Sequence, residues 1–471
     1  MSRGKELIKN TGILMIAKIS TQVVNFLLIP LYTSLLTTEE YGVIDIYTSL
    51  AMIIVPFLTL QVEMGLFRYF ILSKEENDKT EIISSSYFIV IVIQFIISII
   101  YWITAIIIHL ESKELLYGYY ISQALYVVLL QTCRAKGSNF DYGLASFICS
   151  ALTVVLNVLF IRVFHMKVEG ILISAIIAQL VSSIYMIIRT KLLNYMKLVG
   201  IKVRKIKELI TYSVPLVINQ IASWTINYSD HLIIFNVWGK GDNGIYSIAT
   251  KFSNILNTFF GVYNVAWTES VVRSMDDKDD NKYISQVFEL TFNIYILLII
   301  GILTILPFCF DILVKGEFKE AYQQIPFLLI AMLFSGMAAT LGSIYIAYNK
   351  TKEVSATTVL ASICNIIVHF ILLRKFKLYA ASISTLVSFV MLYVYRTIAL
   401  KKFFELKYNK KRIYCNLLIA LFAWGAYALK NKILIISCFM INIFLLWILF
   451  KNNKDTIKAL IRNKKTKKVG F

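Results

Sequence analysis

The sequence predicts an all-α polytopic membrane protein of about fourteen transmembrane helices. Apolar runs of helix-spanning length recur from one end of the chain to the other. Hydrophobic residues fill 58% of the 471 positions, with a mean hydropathy of +0.70. No connection between runs exceeds about twenty residues, which leaves no room for a soluble domain. A chain of this size with that balance is built to face lipid.

The runs fall near 11–35, 42–66, 82–109, 115–133, 143–164, 168–188, 208–238, 243–268, 284–310, 322–348, 354–373, 378–398, 412–429 and 432–450. Each approaches or exceeds the roughly 17–25 residues that a spanning helix needs. The last two are the least distinct as separate spans, and a twelve-helix count would leave the C-terminus on the same side. The first run lacks a small-residue cleavage site and is too long for a signal-peptide core, so it is expected to remain as a span. Six cysteines lie singly in or beside spans, without metal or disulfide spacing.

Orientation follows from the basic residues between spans. With the N-terminus inside, 35 of the 48 Lys and Arg fall on the cytoplasmic side and 11 on the other. Lys18 and Lys251 are the two that lie inside spans. Both termini are therefore expected in the cytoplasm. The net charge of +20 is mostly this positive-inside signal and gives no reason to expect nucleic-acid binding.

The chain also repeats itself. Lys5-Glu-Leu-Ile recurs as Lys207-Glu-Leu-Ile, and the same shift of 202 aligns Asn25 with Asn227 and Gly42 with Gly244. Six spans separate the copies, so both enter the membrane from the same side and the repeats are parallel. This predicts two six-helix lobes, 1–190 and 207–400, with a cavity between them. A basic amphipathic linker, 191–206, joins the lobes on the cytoplasmic face, where it suits anionic lipid. Two C-terminal helices (401–450) and a basic cytoplasmic tail (451–471) follow.

Polar residues inside the spans are the functional clue, because an ionised side chain at mid-helix costs roughly 2.5–3.5 kcal/mol on insertion scales. Thr11, Lys18, Gln22 and Asn25 share one face of the first span. The corresponding face of the seventh carries Gln220, Ser223, Asn227 and Asp230, with His231 adjacent. The eighth has Lys251, Asn254 and Thr258, and the eleventh has Ser355, Thr358, Ser362, Asn365 and His369. Two readings stand side by side: helix–helix hydrogen bonding, or a lining for a polar substrate. For Lys18, snorkelling to the interface is the competing explanation. Asp230, His231, Glu63 and Arg68 are candidates for ion coupling or for ion pairing, with Lys251 as one partner open to Asp230 and His231. Asp276-Asp277-Lys278-Asp279-Asp280 resembles an acidic metal motif, but a short loop with no fold around it reads as a solvated turn. No metal site or catalytic motif is expected.

The motifs themselves resemble a known group. The basic start with Lys5-Glu-Leu-Ile leads into the polar first span, and Thr38-Glu-Glu-Tyr-Gly42 opens the second. The second span ends in Glu63-Met-Gly-Leu-Phe-Arg68-Tyr-Phe, and Asp242-Asn-Gly-Ile-Tyr246 repeats the opening before the eighth. Over essentially its whole length the chain is similar to the polysaccharide transporter family, the O-antigen, capsule and exopolysaccharide repeat-unit flippases. That family is part of the multidrug/oligosaccharidyl-lipid/polysaccharide flippase superfamily. The resemblance implies a bacterial inner-membrane flippase, not an enzyme. It would move undecaprenyl-pyrophosphate-linked oligosaccharide to the outer leaflet by alternating access. It also implies a cationic cavity, to which Lys18, Gln22, Asn25, Gln220, Asn227, Lys251 and Asn254 are the candidate contributors; few arginines accompany the lysines here. No cofactor is implied beyond Na+ or H+ coupling. The implied partners are the lipid-linked glycan, membrane lipids, and a glycan polymerase and glycosyltransferases. A lipid II or multidrug exporter of the same superfamily is the alternative. A membrane glycan polymerase or ligase fits less well, because it would need a large outer loop.

Overall fold

The computed structural model describes residues 26–107, 112–197, 200–274 and 280–452, and no strand occurs among them. Ten of the described helices are long and apolar enough to cross a membrane. These are Thr38–Thr59, Glu76–Ile107, Asn139–Val163, Lys167–Thr190, Val203–Val237, Asn281–Leu313, Ile325–Ala347, Thr351–Phe376, Leu378–Leu400 and Lys432–Asn452. Three more, Lys113–Ala135, Lys240–Ser274 and Lys410–Ala428, occupy expected spans but are more polar. The chain is a multi-pass membrane protein. Its outward faces carry large apolar side chains, such as Phe95 and Ile107, exposed at 68% and 70%. In water such faces would be a liability; in lipid they are the solvated surface.

The helix ends follow local chemistry. Helix 38–59 begins with a capping box: Thr37 Oγ1 accepts from Glu40 N at 3.2 Å, and Glu40 Oε2 accepts from Thr37 N at 2.9 Å. The second span is not one helix. Leu60 and Gln61 both take left-handed backbone, φ 49° and 55°, and a separate helix, Val62–Leu72, follows. The fifth span ends in a π-helical turn, Val158–Val163. Lys410–Ala428 and Lys432–Asn452 are two distinct helices.

The described residues fall into two compact units, one reaching Gly244 and the other starting at Ile245. This division follows packing, whereas the lobes expected from the repeat follow sequence similarity. In the first unit, Val62 and Leu66 meet Ile83, Leu129, Met186 and Leu209 in one core. A second core joins Ala51, Val55 and Leu58 to Leu116, Tyr120, Ala124 and Leu172. Helix 203–237 belongs here because it packs on 38–59, 62–72 and 76–107.

The second unit is centred on helix 325–347, which packs most extensively on 378–400. Arg396, counted above among the basic residues of the cytoplasmic side, lies inside helix 378–400 and is buried. Its guanidinium donates to Thr357 Oγ1 (3.1 Å), Ala338 O (2.8 Å), Val354 O (2.9 Å) and Thr358 Oγ1 (3.0 Å). One side chain thus ties three helices together through neutral acceptors. The polar seam of the eleventh span turns inward to the same neighbour: Asn365 Nδ2 donates to Thr385 Oγ1 at 3.3 Å. Hydrogen bonding between helices accounts for these members of the seam. Tyr322 and Tyr427 stack at 4.0 Å, and each hydroxyl donates to the other's carbonyl oxygen.

Candidate functional site

The two repeat-related openings, 38–42 and 240–244, cross in contact within the first unit. Their approach is too close for any side chain at the glycines. A Cβ on Gly42 would lie 1.8 Å from Lys240 O, and one on Gly244 would lie 2.0 Å from Thr38 O. Subtracting 202 from Lys240 and Gly244 gives Thr38 and Gly42, so the two contacts exchange under the repeat shift. Only glycine permits backbones to approach this closely.

Beside the crossing lies a buried polar cluster. Asp45, His231 and Asn243 are all buried. His231 Nδ1 is 2.6 Å from Asp45 Oδ2. Asn243 Nδ2 donates to the same oxygen at 3.1 Å and to Gly42 O at 3.0 Å. The cluster therefore binds three segments: the start of helix 38–59, the end of helix 203–237, and the start of helix 240–274. Farther along, Trp224 Nε1 donates to Ser49 O at 2.8 Å. A carboxylate in this setting must keep its donors, because removing one partner of a buried pair typically costs about 3–5 kcal/mol.

Asp45 is the member of this cluster that the sequence reading missed. Its signal was an acid four residues into an apolar run, as anomalous as Lys18. His231 does meet an acid, but the acid is Asp45. Asp230, next to it, is also buried. On the same helix Gln220 is half-buried, while Asn227 is exposed and donates to Ser223 O at 2.7 Å. In the second unit, Lys251 and Asn254 are half-buried. Lys18, Gln22 and Asn25 lie outside the described residues, as do 275–279 of the acidic turn.

Glu63 and Arg68 do not pair with each other among the described residues. The Arg68 guanidinium lies over the Tyr212 ring, 4.7 Å from its centroid. Glu63 is 2% exposed and sits in the first turn of helix 62–72, just past the left-handed break. There the helix dipole favours a negative charge. Its Oε2 has no hydrogen-bond partner among the described residues. The five-residue spacing takes the two groups to different faces, and the arginine gains more from stacking on an aromatic ring.

Comparison with known proteins bears on what this arrangement serves. No curated protein matches the chain in sequence. Among solved structures it resembles a lipid II flippase, MurJ, in an inward closed conformation, with TM-score 0.70 and 14% identity. That match covers 96% of this chain and 100% of the other. It also resembles an inward-facing multidrug resistance MATE family transporter of the MOP superfamily, with TM-score 0.67 and 14% identity, over 83% and 99% of the two chains. A mutant of the Vibrio cholerae MATE transporter VcmN matches with TM-score 0.54 and 13% identity, over 85% and 96%. At these identities the likeness establishes the fold, that of polytopic transporters. The signature of one family, described as polysaccharide biosynthesis protein, matches residues 7–268, more than half of the sequence. The chain belongs to that polysaccharide biosynthesis protein family.

Proposed function

We propose that the protein is a flippase for lipid-linked glycan precursors. It would carry undecaprenyl-pyrophosphate-linked oligosaccharide repeat units from the cytoplasmic to the outer leaflet of a bacterial plasma membrane, for O-antigen, capsule or exopolysaccharide assembly. The observation that carries the reading is the glycine crossing with its buried Asp45–His231–Asn243 cluster, in a chain of this family. The excess of basic residues on the other side supports an orientation in which the crossing lies at the outer ends of its helices. A closed outer end is one of the two states that alternating access requires. The sugar head would cross among the polar faces while the prenyl tail stays in lipid. The mechanism moves a substrate and makes or breaks no covalent bond in it.

Within this reading the two six-helix lobes rock against each other, and the reciprocal contacts at Gly42 and Gly244 support their derivation from a repeat. Lys18 and Lys251, with Gln22, Asn25, Gln220, Asn227 and Asn254, receive the anionic head. Proton or sodium coupling acts through the buried titratable groups Glu63, Asp230 and His231. A lipid II exporter is the second reading, favoured by the likeness to the lipid II flippase over nearly the whole chain.

The decisive experiment is deletion followed by extraction of lipid-linked intermediates. Accumulation of one oligosaccharide repeat unit on its prenyl pyrophosphate supports the first reading, and accumulation of lipid II supports the second. Lys18→Ala and Lys251→Ala should each reduce export at unchanged protein level. Normal surface glycan in both variants would remove the lysines from the substrate path.

A further inference from the structure

The linker between the repeats is a built structure. Lys191 caps helix 167–190, a 3-10 turn follows over Leu192–Asn194, and Leu192 is buried in the core of the first unit. Ser84 Oγ donates to Tyr195 O at 2.7 Å and accepts from Lys197 N at 3.1 Å. Ser85 Oγ accepts from Lys202 N at 3.2 Å. Gly200 lies so close to helix 76–107 that a Cβ would be 2.8 Å from Ser84 Oγ. The described parts of the basic stretch, 191–197 and 200–206, are therefore held against that helix.

Beside it an open cleft of about 430 Å³ is lined by Glu76, Lys136, Arg189, Lys191, Asn194 and Tyr195. The acids nearby are already engaged. Asp141 accepts from Arg189 Nε at 3.0 Å and from Tyr185 at 2.7 Å. Glu76, also on the wall, pairs with Lys79 at 2.7 Å. Lys136 Nζ instead donates to the neutral carbonyl of Thr190 and lies 3.9 Å from the centroid of the Tyr195 ring. Burial holds the Lys136 ammonium below the usual lysine range, partly offset by Cys133 and by Glu76 on the same wall, with a smaller lowering from Lys191. Lys191 itself adopts φ 47°, ψ 44°, a left-handed cap where glycine would be the relaxed choice. Two cations thus face one cleft with no carboxylate in salt-bridge contact among the described residues, and one is held there at a conformational cost. Large apolar side chains on the adjoining segments, Ile188, Leu193 and Met196, are exposed.

We propose that this cleft binds the phosphate head group of a lipid in the cytoplasmic leaflet, with the acyl or prenyl chain lying along Ile188, Leu193 and Met196. An anion between Lys136 and Lys191 would replace repulsion by attraction at both. The exposed apolar side chains favour a lipid over a soluble phosphate. The site does not depend on the flippase reading.

The test uses purified full-length protein, with bound lipid counted by native mass spectrometry after exchange into mixtures of phosphatidylglycerol and phosphatidylcholine. The wild type should retain phosphatidylglycerol in preference. Lys136→Gln/Lys191→Gln should lose about tenfold of that preference. Lys401→Gln/Lys402→Gln, which removes the same charge from exposed positions elsewhere, should lose little. Lys191→Gly removes a charge and the backbone strain together, so it should weaken binding while melting no lower than the wild type. Equal preference in the Lys136/Lys191 variant, or equal loss in the control, would overturn the site. A thermal shift with inorganic pyrophosphate that the Lys136/Lys191 variant abolishes, without any lipid preference in the wild type, would make it a site for a soluble anion and overturn the lipid assignment.

Discussion

Gly42→Ala tests whether the crossing is a specific closed contact. Its new Cβ would lie 1.8 Å from Lys240 O and 2.8 Å from the Lys240 carbonyl carbon, against an ordinary contact of 3.4 Å or more. Backbone cannot swing aside like a side chain, so the helix openings must part. Overpacking of this kind costs about 1–3 kcal/mol or more. Parting the openings also breaks the 3.0 Å bond from Asn243 to Gly42 O, worth about 1 kcal/mol. A total of about 2–4 kcal/mol shifts the closed population by roughly 30- to 1,000-fold. Because the contacts are reciprocal, Gly244→Ala should cost about as much. The assay is a cross-link: a Cβ on Gly241 lies 3.9 Å from Thr38 Cβ, within the disulfide range of about 3.5–4.5 Å. Thr38→Cys/Gly241→Cys, in a background lacking the six native cysteines, should oxidise readily. It should do so far more slowly when either alanine is added. Cross-linking at the parental rate in both alanine variants would refute the close crossing.

Other expectations follow from the buried polar groups. Asp45→Ala strips His231 and Asn243 of a shared acceptor and should cost about 3–5 kcal/mol, read as a lowered Tm in detergent; an unchanged Tm would show that the cluster is not structural. Arg396→Lys cannot reproduce four bonds to two neighbouring helices and should cost about 2–4 kcal/mol, whereas wild-type stability would mean that the guanidinium geometry is irrelevant. Glu63→Gln keeps the shape of a carboxyl whose Oε2 lacks a partner among the described residues, so Tm should stay near that of the wild type. Transport should nevertheless fall by about tenfold or more if Glu63 serves coupling; full transport across the pH range would exclude it.

The sequence made the helices legible because lipid leaves a chain few choices. Backbone groups must bond within the segment, and about twenty apolar residues are needed to cross. Partners were harder to foresee. Asp45 and His231 are 186 positions apart, and nothing in either local pattern announces the other. Gly42 and Gly244 were visible as repeat marks, but marks do not say that they touch. Arg396 was counted among loop charges because it follows an apolar run; its bonds to neighbouring helices hold it inside. The break at Leu60–Gln61 left no mark, since neither residue is a glycine. It separates Glu63 from the helix before it and frees Arg68 to stack on Tyr212, where spacing alone suggested an ion pair.

The crossing joins a symmetric frame to an asymmetric lock. Thr38, Gly42, Lys240 and Gly244 exchange under the shift of 202, and each glycine meets the other copy's carbonyl. The polar residues beside them do not exchange. The same shift takes Asp45 to Ser247, Asn243 to Tyr41, and His231 to Ile29. A frame set by backbone contact alone has no titratable part, so its strength is indifferent to protons. The Asp45–His231 contact runs between the copies, and its counterpart under the shift would set Ser247 against Ile29, which cannot form it. His231→Gln removes the ionic partner of Asp45 and leaves the glycine frame in place. If the lock governs closure, the Thr38–Gly241 cross-link should form about tenfold more slowly in His231→Gln than in the parent at one fixed pH, because a hydrogen bond to a charged group is worth about 1.5–3 kcal/mol. An equal rate in the two proteins would leave closure to the glycine frame and remove His231 from it.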